Sequence, residues 1–111
     1  MTWLGRIVDT SNPNVPLWGE ASLEQVESWM PVIDARFESV VAEVEANGAQ
    51  RVVEYTNSRG DAFTSSVEEM LTHMLLHSTQ YRGEAAAFLN EAGHRVPDLD
   101  YIFWLRAGEP A

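Results

Sequence analysis

One long stretch, residues 66–93, reads SVEEMLTHMLLHSTQYRGEAAAFLNEAG and decides the fold. Ser66 and Glu69 have the spacing of a capping box, the reciprocal pair of hydrogen bonds that opens a helix. Apolar side chains then recur at helical spacing on one stripe, at Val67, Met70, Leu71, Met74, Leu75, Ala85, Phe88 and Leu89. Because Gly93 supplies a stop, the pattern predicts an amphipathic helix from Val67 to about Ala92.

A second amphipathic helix is predicted earlier in the chain. Ser22 and Gln25 form another capping box, and Asn47-Gly48 ends the pattern. Between them the apolar positions at helical spacing are Val26, Trp29, Ile33, Phe37, Val40, Val41 and Val44. The position of Pro31 is compatible with two different first residues for this helix. A start at Ser22 makes it interior, where proline kinks a helix, whereas a start at Ser28 places it in the tolerant first turn.

Shorter elements complete the pattern. Residues 51–56 are β-branched and alternating, residues 57–60 are a turn, and residues 61–64 can return as a second strand, which predicts a small hairpin. Residues 3–8 have the character of a helix tail, and residues 99–106 are long enough for two helical turns. We therefore expect an all-α fold with one hairpin before the long helix.

Composition narrows the class of protein. The 111 residues predict a single domain, residues 1–111, with a thin core. A formal net charge of −10 argues against nucleic-acid binding, and the absence of cysteine excludes disulfides and thiolate chemistry. We find no membrane span and no signal peptide in the sequence, so the expected location is the cytoplasm.

The candidates for chemistry lie on the long helix. His73 and His77 stand four residues apart, a spacing at which two imidazoles can share a metal ion. Tyr81 and Glu84 fall on the same flank, within about 80° of the two histidines at 100° per residue. The alternative is that two histidines at the edge of a core only satisfy hydrogen bonds with their neighbours.

Four further positions stand out. Gly83 costs stability in the middle of a helix, so we interpret it as a packing contact, for example between helices. His94 follows the terminal glycine and is expected to meet the last carbonyl groups of the helix or solvent. Trp18, in a loop, is a candidate to cover a pocket or a subunit interface, and Arg59 is a candidate anion contact at the hairpin tip.

Residues 71–84, LTHMLLHSTQYRGE, resemble the signature of the DinB-like family, also called the DinB/YfiT-like putative metalloenzymes, which reads roughly H-x-x-x-H-x-x-x-H-R-G-Q. The resemblance extends in the same order to residues 3–6, 55–60 and 93–102, and so covers nearly the whole chain. It implies an up-down four-helix bundle, usually a homodimer, that binds a divalent metal such as nickel or zinc through three histidines. Relatives include thiol-dependent S-transferases and isomerases.

Two departures from the family pattern bear on the function. The resemblance places two of the family's metal ligands on this helix at His77 and Tyr81, so a tyrosine replaces one histidine. In the family, the third ligand and the first helix come before the segment that matches Trp3. We therefore expect a bundle without its first helix and a degenerate metal site, with His77 and, more weakly, His73 and Tyr81 as its remaining ligands. No catalytic residue is assigned.

Three hypotheses for function follow. The leading one is a DinB-like protein whose transferase or hydrolase chemistry is reduced or lost. The second is an active metal-dependent S-transferase or hydrolase with a rearranged His/Tyr/Glu site around His77. The third is a dimeric module that binds a small apolar or anionic molecule near Trp18, His77 and Tyr81. Because a bundle short of one helix exposes the apolar stripes of the others, we expect an obligate homodimer.

Overall fold

The computed structural model describes residues 2–8 and 19–108. Its elements are, in chain order, helix α1 (Thr2–Val8), helix α2 (Leu23–Asn47), strands β1 (Val52–Thr56) and β2 (Ala62–Ser66), helix α3 (Val67–Glu91) and helix α4 (Tyr101–Leu105). The described residues are thus mostly helical with one antiparallel hairpin before the long helix, as predicted. The four-helix bundle and the missing first helix stay predictions.

The start of α2 is decided by its cap. The Ser22 side chain accepts a hydrogen bond from the Gln25 backbone N–H at 3.1 Å, and the Ser22 backbone N–H donates to the Gln25 side chain at 2.9 Å. These two bonds satisfy backbone groups that a helix start leaves open. The earlier of the two predicted starts is therefore correct, and Pro31 lies inside the helix. The helix ends before Gly48, whose φ of 76° suits glycine.

The hairpin pairs Val52 with Ser66 at one end and Thr56 with Ala62 at the other. Its turn is closed by the Asn57 side-chain oxygen, which accepts hydrogen bonds from the backbone N–H groups of Arg59 and Asp61. The second strand is longer than the predicted residues 61–64, because it runs directly into α3 without a connecting loop. Ser66 is thus both the last residue of β2 and the capping residue of α3.

Helix α3 has the predicted bounds to within one residue. The Ser66 and Glu69 capping box forms, with reciprocal bonds of 3.1 and 2.8 Å. At the far end Gly93 has a φ of 85°, and the His94 backbone N–H donates to the Leu89 carbonyl at 2.9 Å. These bonds satisfy terminal carbonyl groups of the helix. Helix α4 is shorter than the two turns predicted for residues 99–106.

The chain divides into two compact units, residues 1–74 and 75–111. In the first unit α1 packs against α2 and β1. Its core consists of the buried side chains Leu4, Ile7, Val40, Val53, Val67 and Met70. Arg51 adds a polar anchor, because it donates to the Ile7 carbonyl at 2.6 Å and pairs with Glu43 at 2.8 Å. The predicted thin core therefore exists in this unit.

In the second unit no residue from 75 to 108 is buried. The apolar stripe predicted for α3 is covered only over its first two turns, where Val67 and Met70 are buried and Leu71 and Met74 are partly buried. Leu75, Ala85, Phe88 and Leu89 belong to the same stripe and are exposed. Periodicity marks the apolar face of a helix but does not say whether another element covers it.

Candidate functional site

His73 lies on α3 in the first unit, where its ring packs against Trp3 with a centroid distance of 4.8 Å. Trp3 in turn meets Tyr55 edge to face at 5.4 Å. The Arg6 guanidinium stands 4.6 Å from the Trp3 ring centroid and 4.7 Å from that of Tyr55, and donates to the Thr56 carbonyl at 2.9 Å. We call Trp3, Arg6, Tyr55 and His73 the Trp3 cluster.

The Trp3 cluster ties α1 to the hairpin and to the start of α3. Aromatic pairs and a cation over an aromatic face each contribute about 0.5–1.5 kcal/mol beyond burial of area. The His73 ring is therefore part of a stacked arrangement that holds three elements together. This contact agrees with the alternative offered at the sequence level, in which a histidine at the edge of a core interacts with its neighbours.

His77 and Tyr81 meet in the second unit, with ring centroids 4.7 Å apart and an interplanar angle of 44°. Side chains four residues apart lie one above the other on a helix, so this contact is local to α3. Both side chains are exposed, and so is Glu84. The predicted His77 and Tyr81 pair is thus in contact, as two rings on an open helix face.

Nickel and zinc sites in proteins use at least three protein ligands in most cases. Within residues 2–8 and 19–108, no group of three or more His, Cys, Asp or Glu side chains could hold a metal ion. The side chains that the structure describes therefore do not fit the divalent metal ion that the family resemblance implies.

An open hollow lies along the hairpin, and the sequence interpretation missed it. Its lining is formed by Glu54, Tyr55, Thr56, Ala62, Phe63 and Thr64. Tyr55 and Phe63 are direct cross-strand partners, and their rings stack at 6.1 Å with an angle of 28°. The signal in the sequence was one aromatic residue on each side of the NSRG turn, at positions that a hairpin places opposite each other.

A second hollow lies beside Arg51. It is lined by Ile7, Val8, Ser39, Ala42, Glu43, Ala46 and Arg51. Its two charged residues already pair with each other, and Arg51 also binds the last turn of α1. The polar groups of this hollow therefore serve the fold.

The remaining sequence candidates have the following surroundings where the structure describes them. A Cβ placed at Gly83 would meet no atom within 4 Å, so the expected packing contact is wrong within the described part of this chain. Arg59 is exposed, and its Nε lies 3.5 Å from an Asp61 carboxylate oxygen. The His94 backbone N–H donates to the Leu89 carbonyl near the end of the helix. Trp18 lies outside the described residues.

Among the residues described, no helix is both long and apolar enough to cross a membrane. No curated protein and no solved structure matches the chain significantly. The family model described as DinB family matches residues 1–110. This match covers nearly the whole chain and agrees with the resemblance carried by the long helix and the hairpin. The chain therefore belongs to the DinB family.

Proposed function

We propose that this chain is a DinB family protein that has lost the metal-dependent transferase or hydrolase chemistry and binds a small molecule without reaction. The observation that carries the proposal is the lack of any group of three metal-ligating side chains in the part of the chain described. A nickel or zinc ion held by fewer protein ligands exchanges readily with solvent. The chain then has no fixed Lewis acid and no metal-bound nucleophile.

The contacts of the two histidines support the same proposal. The His73 ring packs on Trp3, and the His77 ring packs on Tyr81. The tyrosine at the position of a family histidine thus serves as a packing partner for His77. On this proposal, both histidines remain on the helix for their packing.

The hairpin hollow is the binding surface that we propose. Its lining residues come from both strands and include Tyr55 and Phe63, whose rings stack on each other, and Thr56 and Thr64, which carry hydroxyl groups. Flat ligands gain from stacking on such rings, and hydroxyl groups fix their orientation. Because Glu54 also lines the hollow, we narrow the ligand class to neutral or cationic planar molecules.

Elemental analysis of protein purified without a histidine tag tests the loss of the metal. The protein is supplemented in turn with nickel, zinc and manganese and then desalted. We expect far less than one metal ion per chain, and the same low content in His77→Ala. A metal content near one per chain that His77→Ala abolishes contradicts the proposal and revives the rearranged His/Tyr/Glu site.

The Tyr81→His variant restores the family residue and serves as the second arm of this experiment. We expect it to remain free of metal, because one restored histidine still leaves the described residues short of a third ligand. Metal bound by Tyr81→His alone traces the loss of the site to this single position. If neither the unmodified protein nor Tyr81→His binds metal, the loss of the metal site is supported, and the binding function is tested directly.

Fluorescence titration with the neutral dye N-phenyl-1-naphthylamine tests the hairpin hollow. We expect saturable binding that Phe63→Ala weakens about threefold to tenfold, since an aromatic contact contributes about 0.5–1.5 kcal/mol. Val52→Ala is the matched control, because Val52 is exposed on the same hairpin and does not line the hollow. Equal binding by both variants would exclude the hollow as the site.

A further inference from the structure

Helix α2 carries apolar residues at the spacing of a coiled coil. Over three heptads these residues recur at alternating intervals of three and four positions. They are Leu23, Val26, Met30, Ile33, Phe37, Val40 and Val44. Pro31 falls outside this row and does not interrupt it. The helix therefore has a continuous apolar face of the kind against which a second helix packs.

In the described structure the core covers only part of this face. Val40 is buried, and Ile33 and Val44 are partly buried against the core to which α1 contributes. Four residues of the same row are between 41% and 75% exposed, and we call them the open seam: Leu23, Val26, Met30 and Phe37. An apolar row that continues past its own core leaves a surface that another helix can cover.

Acidic side chains border the open seam on one side. At about 100° per residue they fall within about 40° of one another around the helix, next to Met30. All four are exposed, and we call them the acidic row: Glu27, Asp34, Glu38 and Glu45. Their spacings of seven and four residues are those of a heptad pattern. The acidic row therefore runs alongside the open seam.

Charge selects the partner of this surface. Helix α2 contains six carboxylate side chains and one arginine, so it carries −5 of the net charge of −10. A second copy of the chain would bring two such helices together, and like charges across an interface lower the affinity. Nucleic acids and anionic membranes are repelled for the same reason. A helix with an apolar stripe and flanking Lys or Arg residues complements both the open seam and the acidic row.

We propose that the open seam and the acidic row form a docking surface for a basic amphipathic helix of another protein. The apolar stripe of the partner packs on the open seam, and its Lys or Arg side chains pair with the acidic row. Charged residues that flank an apolar seam set partner choice and orientation in this way. This inference does not depend on the proposed loss of the metal or on the hairpin hollow.

Fluorescence anisotropy with a labelled synthetic peptide tests this surface on the full chain. The probe has three heptads, with isoleucine and leucine at the seam positions and lysine at the flanking positions. One control peptide has glutamate in place of each lysine, and another has the composition of the probe in scrambled order. We expect saturable binding of the lysine peptide, at least about tenfold tighter than that of either control peptide.

Met30→Gln tests the open seam. It replaces an apolar side chain with a polar one of similar size, and we expect it to weaken binding of the lysine peptide about tenfold. Val32→Gln is the matched control, since Val32 is 40% exposed on the opposite side of the same helix and Met30 is 50% exposed. Circular dichroism verifies that both variants keep their helices.

The double variant Glu27→Lys, Asp34→Lys tests the acidic row. We expect it to weaken binding of the lysine peptide about tenfold and to strengthen that of the glutamate peptide, because it reverses the charge beside the seam. The double variant Glu84→Lys, Glu91→Lys is the matched control. It makes the same change in net charge at exposed positions of α3.

Several results would overturn the inference. Failure of the lysine peptide to bind, or equal binding of the scrambled peptide, excludes a helix-docking surface. Equal effects of Met30→Gln and Val32→Gln place the binding elsewhere, and equal effects of the two double variants reduce it to net charge.

Two other occupants of the open seam are distinguished without the peptide. A dimer in sedimentation equilibrium that Met30→Gln dissociates and Val32→Gln retains assigns the seam to a second copy instead. Cosedimentation with neutral phosphatidylcholine vesicles, lost in Met30→Gln and retained in Val32→Gln, assigns it to a membrane instead.

Discussion

The first unit buries six apolar side chains in a core, whereas no described residue of the second unit is buried, although one helix contributes to both. Helix α3 supplies Val67 and Met70 to the core of residues 1–74, whereas Phe88 and Leu89, about five turns further on, are exposed. Helical periodicity is similar in the two halves. The difference teaches that an apolar stripe requires a covering surface, and only the first half of α3 has one in the described structure.

The largest expected effect tests this contrast inside α3. Met70→Ala should lower the free energy of unfolding by about 2–5 kcal/mol, because it opens a cavity in the core. Leu75→Ala, five residues later, should cost less than about 0.5 kcal/mol in dilute monomer, since Leu75 is exposed. Urea denaturation followed by circular dichroism measures both.

Protein concentration sharpens the same comparison. If a second copy covers Leu75, the cost of Leu75→Ala grows as the protein is concentrated, while that of Met70→Ala relative to wild type stays nearly constant. Equal costs for the two variants in dilute solution would show that the second half of α3 is as well covered as the first.

A smaller effect is expected at the polar anchor of the first unit. Arg51→Ala removes the hydrogen bond to the Ile7 carbonyl and the ion pair with Glu43. Hydrogen bonds to charged groups contribute about 1.5–3 kcal/mol, and partial exposure reduces this here to about 1–2 kcal/mol.

Arg59→Ala is the control for Arg51→Ala, since the Arg59 side chain is 82% exposed in the hairpin turn. Its removal should change the free energy of unfolding by less than about 0.5 kcal/mol. Thermal unfolding of both variants at equal concentration gives the comparison. A larger loss in Arg59→Ala than in Arg51→Ala would refute the anchor.

The smallest effect separates the two histidines. His73→Ala should cost about 0.5–1.5 kcal/mol, because it removes an aromatic contact that joins α3 to α1. His77→Ala should cost only about 0.2–0.5 kcal/mol, because its contact with Tyr81 stays within one helix.

His73→Phe keeps the aromatic contact with Trp3 and removes the imidazole. We expect it to recover most of the stability lost in His73→Ala, with the unfolding midpoint in urea as the measurement. Failure of His73→Phe to recover it would mean that an imidazole nitrogen, and not the ring contact, stabilises this part of the chain.

Several features of the fold could be read from the chain because they are local. The capping boxes at Ser22 and Ser66 and the stop at Gly93 involve residues within a few positions of each other. The NSRG turn closes in the same way through the Asn57 side chain. Such bonds depend on short stretches of backbone, so their residue patterns predict them well.

The candidate site was predicted less completely. The contact of His77 with Tyr81 follows from helical spacing, but that of His73 with Trp3 joins residues 70 positions apart. The start of α2 was ambiguous for a similar reason, since Pro31 alone fits either start and the formed cap decides between them. Contacts between distant segments depend on packing that no local pattern specifies.

By itself the sequence determined the helices and the hairpin, their caps and the likeness to the DinB family, because all of these depend on local spacing and residue type. Only the tertiary structure decided which apolar residues are buried, that His73 packs on Trp3, and that Tyr55 and Phe63 line a hollow. The physical reason is that burial is a property of two surfaces in contact, and a periodic pattern describes only one of them.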